Sequence, residues 1–179
     1  MTAYQAGRGR LDSSANLKIS KPPRSLILST GEETPRGHSV RARLWIIELS
    51  PGSINKDLLA KCQSDADHGL YARSMGAFIG WTARRYEELQ ERILNEAPEL
   101  RRAASSCKGH MRTPDIMASL QLGVSIFLEF AEEVGAINSD ERGNLEAKCW
   151  RALANTAVQQ AKHQATAEPT QRFLQVLRA

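Results

Sequence analysis

The chain has 179 residues, 41% of them hydrophobic, which supplies a core for one domain and argues against wholesale disorder. Aromatic residues make up only 6%, and the abundance of Ala, Leu, Arg, Glu and Gln favours helices. The net charge is +4, and residues 1–50 account for all of it with eight Lys/Arg against four Asp/Glu. A basic segment of this kind is either a region that attracts phosphate or a solvated arm.

The cysteines and histidines argue against metal and disulfide chemistry. Three cysteines lie far apart without a CxxC pair, and the four histidines show no i,i+4 spacing, so we predict no metal site. The N-terminus lacks the apolar segment of a signal peptide, and no apolar run is long enough to cross a bilayer. These features predict a cytoplasmic protein without a membrane partner.

Two segments in the first third of the chain have the pattern of strands. Residues 1–23 are polar and end in a proline pair, which indicates an extended arm. Residues 24–30 form a compact apolar run before Gly31, and residues 40–49 alternate apolar residues with arginines before becoming apolar throughout. Since an isolated strand pair is marginal in water, we predict that both strands need a larger sheet or a second chain.

From residue 53 onward the pattern becomes helical. Ser53 or Asn55 is predicted to cap a helix that begins near Lys56. A long amphipathic stretch covers residues 65–94, and Pro98 is predicted at a break or in the first turn of the next helix.

Three further helices are predicted to begin in the last part of the chain. Thr113 is expected as an N-cap with Pro114 at the first helical position, and apolar residues then recur at helical spacing until Gly135. Ser139 offers a second cap, and a final helix is predicted over residues 168–177.

Two groups of residues have both a structural and a functional interpretation. Trp45, Trp81 and Trp150 could form a platform for base stacking, but tryptophans at this spacing are more often core residues. The adjacent acids Glu32 and Glu33 could hold a metal or a water, but a solvated loop pair is the commoner arrangement.

The end of the first predicted strand carries the residues best suited to chemistry. In an open α/β sheet, ligands lie outside the carboxyl ends of strands, where Thr30 and Glu32 would project. Arginine binds phosphate through two parallel hydrogen bonds, and an arginine from a neighbouring subunit can accelerate nucleotide hydrolysis by ~10³ or more. Three arginines follow within this segment: Arg36, Arg41 and Arg43.

The run RSLILSTGEETPRGHSVRARLWIIEL, residues 24–49, resembles the end of the ATPase core in bacterial primase–helicase-like proteins of phages and mobile elements. Those proteins are in turn similar to the hexameric viral replication helicases. GRGRLDSSANLKISKPPR, HMRTPDIMASLQLGVSIFLEFAEEVGAI and QAKHQATAEPTQRFLQVL resemble the adjoining segments, so the resemblance spans nearly the whole chain. It is specific for the family and unspecific for the activity.

The resemblance implies a mainly α fold in two parts. Residues 1–52 would be a basic arm and two short β-strands from the end of an incomplete α/β ATPase core, and residues 53–179 a helical bundle. Thr30 and Gly31 fall where such ATPases keep a polar sensor of the γ-phosphate, and Glu32 adjoins them. Arg36, Arg41 and Arg43 fall where an arginine finger is expected, and Arg36, on the loop, is our first choice.

The function implied is that of the C-terminal part of a DNA-replication helicase/primase-like ATPase that supplies sensor and arginine residues. No GxxxxGK[ST] loop occurs in the chain, so ATP and Mg²⁺ are expected only in the complete enzyme, and hydrolysis by this chain alone is not. Expected partners are the ATPase region, homologous subunits in a homo-oligomer, and single-stranded DNA held through phosphates. The residues predicted to contact DNA are Arg8, Arg10, Lys18, Lys21 and Arg24.

A rival interpretation involves no catalysis. The chain could be a helical adaptor, or a degenerate remnant, that binds its parent ATPase or DNA.

Overall fold

A computed structural model describes residues 13, 14, 16, 26–35, 37–106, 110–165 and 177. The chain divides into two compact units, Met1–Glu33 and Thr34–Ala179. The described residues are mainly helical, which confirms the predicted mainly α class. The helices are α1 (His38–Arg41), α2 (Lys56–Asp67), α3 (Leu70–Arg84), α4 (Tyr86–Ala104), α5 (Thr113–Glu133) and α6 (Ser139–Ala165).

Neither predicted strand occurs among the described residues, so that prediction was wrong. Residues 26–30 have no regular structure, and residues 40–49 begin in α1 and continue without regular structure. Strands require hydrogen-bonded neighbours, and these two segments lie in different units. The second segment satisfies its backbone locally instead, because Arg41 N donates to Gly37 O at 3.0 Å and Arg43 N donates to Val40 O at 2.9 Å.

A buried glutamine takes the place of a neighbouring strand beside residues 44–46. Gln160 on α6 is 1% exposed, and its Oε1 accepts a hydrogen bond from Ile46 N at 3.0 Å. Its Nε2 donates to Leu44 O at 2.7 Å. One side-chain amide therefore satisfies a backbone donor and a backbone acceptor, while Trp45 between them packs against a core cluster.

Helices α2 and α3 form a hairpin. Asn55 Oδ1 accepts a hydrogen bond from Leu58 N at 3.0 Å, which confirms the predicted cap of α2. Gly69, with φ 70°, occupies the left-handed region that the reversal into α3 requires. A second interruption at Arg85 separates α3 from α4, so the single amphipathic stretch predicted over residues 65–94 is three helices.

Helix α4 runs through Pro98, so the break predicted there was wrong. Contacts with α5 hold α4 on both sides of the proline. Arg92, before it, is hydrogen-bonded to Glu129, and Arg101, after it, forms an ion pair with Asp115 at 2.9 Å. These contacts and the packing of the two helices offset the lost backbone hydrogen bond.

Helix α5 is the central element, because it packs against both α4 and α6. Pro114 lies in its first turn as predicted, although the N-cap is Arg112 rather than Thr113. Gly135, with φ 74°, follows its end and confirms the predicted stop. Among the described residues α5 alone is long and apolar enough to cross a membrane, and its buried residues give it the character of a bundle's core helix.

Helix α6 begins with reciprocal capping one residue before the predicted position. Asn138 Oδ1 accepts from Glu141 N, and Glu141 Oε2 accepts from Asn138 N, both at 2.9 Å. The final helix predicted over residues 168–177 lies outside the described residues except for Leu177, which is helical.

Among the described residues from Thr34 onward, the core contains two buried clusters, which lie towards opposite ends of α5. The first is built from α3, α4 and α5, and the second from α4, α5 and α6. Trp81 lies in the first and Trp45 and Trp150 pack against the second, so all three tryptophans are core residues as expected. The clusters are Trp81, Leu89, Ile126 and Phe130, and Ala104, Met117, Leu153 and Ala157.

Candidate partner-binding surface

The residues predicted to sense phosphate lie in the unit Met1–Glu33. Thr30, Gly31 and Glu32 are exposed and have no helical or strand structure. Three large apolar side chains directly precede them: Leu26, Ile27 and Leu28 are 81–94% exposed. An apolar run with this exposure has the character of a binding segment rather than of a core strand.

Two of the three candidate arginines lie in and after α1, in the other unit. Arg41 Nε donates to Pro35 O at 2.9 Å, and Arg43 donates to Ser39 through both the carbonyl, at 2.7 Å, and the hydroxyl, at 2.8 Å. Both guanidinium groups thus stabilise the local turn, and α1 brings their backbones close together. Arg36 lies outside the described residues, as do the predicted DNA-binding residues Arg8, Arg10, Lys18, Lys21 and Arg24.

The described residues contain no group of three or more His, Cys, Asp or Glu side chains that could hold a metal ion. Cys62 and Cys149 are both free thiols. Burial raises the pKa of Cys149, which keeps this thiol protonated and poorly nucleophilic at neutral pH.

An ordered polar cluster joins α3 to the end of α5. The indole Nε1 of Trp81 donates to Glu133 Oε2 at 2.8 Å, and Arg85 donates to Glu133 Oε1 at 2.6 Å. The hydrogen bond from Trp81 is the main reason that the pKa of Glu133 lies below its ordinary value, and the hydrogen bond from Arg85 lowers it further. Arg85 also lies 4.5 Å from the centre of the Trp81 ring, so one arginine binds both the acid and the indole.

A second polar cluster joins α4, α5 and α6. Arg142 on α6 donates to Glu132 at 2.9 Å and to Glu146 at 3.3 Å. The hydrogen bond to Glu132 is the main cause of the raised pKa of Arg142, and the hydrogen bond to Glu146 adds to it. Ser125 donates to Glu146 at 2.8 Å. The charges here are paired with opposite charges, so the cluster fixes the positions of the helices.

A groove of about 360 Å³ lies between α3, α4 and α5. Thr82 and Gln90 are its only polar lining side chains among the described residues, and Gly123 of α5 also borders it. Tyr86 and Leu94 at its margin are 63% and 69% exposed. Such a lining favours binding of an apolar surface over chemistry. The apolar lining residues are Phe78, Tyr86, Leu89, Ile93, Leu94 and Ile126.

The apolar surface continues from the groove along α3. Phe78 and Thr82 line the groove, and Tyr71, Met75 and Ile79 share their helical face and are 51–60% exposed. Helix α2, which packs against α3, also exposes Leu58 and Leu59, and none of its residues is buried. The exposed apolar residues of α2 and α3, together with the groove, are here termed the apolar face.

Sequence reasoning missed the groove. The helical periodicity of residues 113–135 predicts a helix but does not show which of its sides the neighbouring helices leave uncovered. The available signal was Gly123 itself, a glycine in the middle of an apolar helix.

Comparison of the chain with protein-family models, with curated proteins and with solved structures finds no match in any of the three.

Proposed function

We propose that this chain is the C-terminal part of a helicase/primase-like ATPase of phage or mobile-element DNA replication and completes an ATP site whose P-loop lies elsewhere. The observation that carries the proposal is the exposed run Leu26–Leu28, which is followed, after Ser29, by Thr30, Gly31 and Glu32. An extended apolar segment of this length can add to the open edge of a sheet in a partner. Pairing of this kind would create the first predicted strand only in the complete enzyme.

In that assembly the arginines act in trans. Arg41 and Arg43 emerge from a short hydrogen-bonded turn, which limits the positions that their guanidinium groups can reach. One of Arg36, Arg41 and Arg43 contacts the γ-phosphate of ATP bound by a neighbouring subunit in a homo-oligomer, and Thr30 senses the same phosphate. Mg²⁺ belongs to the complete site and not to this chain alone.

The test measures ATP hydrolysis by the P-loop region of such an ATPase with and without this chain. The mixture should be active and this chain alone inactive. Alanine at the acting arginine should lower kcat by about 10³. Arg151→Ala, an exposed position on α6, is the matched control and should leave kcat unchanged. Hydrolysis by this chain alone, or stimulation that survives alanine at all three arginines, would contradict the proposal.

The basic residues Arg8, Arg10, Lys18, Lys21 and Arg24 are proposed to hold single-stranded DNA through its phosphates. Five phosphate contacts predict a slope of about −3.5 in a plot of log affinity against log salt concentration. Binding that does not weaken as salt rises would exclude this role.

The second candidate function is a helical adaptor without enzymatic activity in the cytoplasm. The apolar face favours it, since exposed apolar surface of this extent is typical of protein interaction sites. A stable complex with the parent ATPase that leaves its ATP hydrolysis unchanged would identify the adaptor.

A further inference from the structure

Gly123 is the feature of the groove that the described chain does not explain. A glycine in a helix interior costs about 1 kcal/mol relative to alanine. A Cβ built at Gly123 has no atom within 4 Å, so packing within this structure does not require the glycine. A bare position beside a groove does, however, allow another backbone to approach closely.

The groove also has an acidic margin. Glu87 and Glu91 share a helical row with Leu94, which lines the groove, and both are exposed. No ion pair to either carboxylate occurs within the described residues. The nearest arginine on the same helix, Arg92, is committed to Glu96 and Glu129. The margin therefore presents negative charge that a basic partner would neutralise.

The dimensions fit a helix. The α4 wall of the groove runs from Tyr86 to Leu94, about 12 Å at 1.5 Å per residue. The row of α3 that continues the apolar surface runs from Tyr71 to Thr82, about 16 Å or three helical turns. Apolar surfaces of this length bind amphipathic helices through side chains at i, i+3, i+4 and i+7 spacing. A helix of three turns that contacts Phe78 and Ile93 would have one flank on the side of α4 that carries Glu87 and Glu91.

We infer that the groove between α3, α4 and α5 binds an amphipathic α-helix of a partner protein, whose apolar face is flanked by Lys or Arg. Close approach at Gly123 and charge complementarity at Glu87 and Glu91 select this occupant. The inference specifies the partner that the apolar face would bind in the adaptor role proposed above, and it rests on that proposed role.

The probe is a synthetic peptide of about 15 residues, long enough for the three turns. It carries Leu at i, i+3, i+4 and i+7 positions and Lys on the flanks. A second peptide has Glu in place of every Lys, and a third has the Lys composition in scrambled order. Fluorescence anisotropy of dye-labelled peptide gives the dissociation constants.

The decisive variant is Gly123→Leu, which extends a side chain towards the groove from a Cβ position with no atom within 4 Å and raises helix propensity, so it should fold at least as well as the original chain. It should weaken binding of the Lys peptide about tenfold or more, which corresponds to ~1.4 kcal/mol. Gly143→Leu on α6 is the matched control, because its Cβ also meets no atom within 4 Å. It should leave binding unchanged.

A charge-swap experiment tests the partner's chemistry. Glu87→Lys with Glu91→Lys should transfer the preference from the Lys peptide to the Glu peptide. Absence of binding, equal binding of the Lys, Glu and scrambled peptides, or unchanged binding by Gly123→Leu would overturn the inference. Self-association that Gly123→Leu abolishes would also overturn it, because the occupant would then be a second copy. The peptide assays contain no nucleotide and therefore test the groove separately from ATP hydrolysis. If the groove inference fails while the Gly123→Leu chain still stimulates ATP hydrolysis, the proposed function stands.

Discussion

Helices α2 and α5 are both amphipathic, yet they differ in what their apolar residues contact. Helix α5 buries nine residues between α4 and α6, whereas α2 buries none, and its main neighbour among the described helices is α3. A periodic apolar pattern therefore identifies a helix, but it does not say whether the protein itself covers the apolar side. The bundle of α4, α5 and α6 covers most of its own apolar residues, whereas α2 and much of α3 leave theirs exposed.

The largest difference between the two regions should appear on truncation of methionines. Met117 is 0% exposed, and Met117→Ala should lower the free energy of unfolding by about 2–5 kcal/mol, through lost transfer energy and a cavity. Met75 on α3 is 52% exposed, and Met75→Ala should change the free energy of unfolding by less than about 0.5 kcal/mol. Urea unfolding followed by circular dichroism measures both. Similar losses would show that α3 is as fully packed as α5.

Gln160→Leu tests how the bundle holds residues 44–46. The variant leaves Ile46 N and Leu44 O without their partner beside a buried surface, so we expect a loss of about 1–3 kcal/mol. Hydrogen exchange at the Ile46 amide should accelerate in the same variant. Gln159→Leu, at the adjacent exposed position, is the control and should affect neither quantity.

The helices could be predicted from sequence because their signals are local. Asn55, Pro114 and Gly135 mark helix boundaries through capping, a fixed φ and a left-handed conformation, and all three act where the sequence places them. The strands failed because strand formation depends on a distant neighbour. Gln160 replaces that neighbour from 114 positions away, measured to Ile46, and no local pattern indicates such a contact.

The candidate site was predictable to a smaller extent. Residues Thr30 to Glu32 are exposed and lack regular structure. Their polar composition and Gly31 predict a loop at this position. The groove forms where the neighbouring helices leave one side of α5 uncovered, and that packing is not visible in the sequence. Gly123 is the one residue whose type pointed to the groove.

Acid should weaken the junction between α3 and α5 selectively. Because the hydrogen bonds from Trp81 and Arg85 depress the pKa of Glu133 in the folded chain, its contribution to stability is present above the unfolded pKa, ~4.3. That contribution is lost as pH falls through the folded pKa. Glu133→Gln should therefore lower the Tm at pH 7, and the difference from the original chain should shrink below pH ~4.

The control for this pH dependence is Glu88→Gln, an exposed position on α4. Its Tm difference from the original chain should stay small across the same pH range. A Glu133→Gln difference that is constant with pH would mean that the carboxylate's charge makes no contribution at this junction.

The smallest global effect is expected from uncapping α2. Asn55→Ala removes the acceptor of Leu58 N, and removal of such a cap costs about 1 kcal/mol of helix stability. Because no residue of α2 is buried, this loss should appear as faster amide exchange within α2, with the urea midpoint of the bundle unchanged. Asn138→Ala removes the corresponding cap of α6, whose residues Leu153, Ala157 and Gln160 are buried, and it should shift that midpoint. Equal midpoint shifts from the two caps would mean that α2 unfolds together with the bundle, and α2 would then be part of the folding unit instead of a helix that opens separately from it.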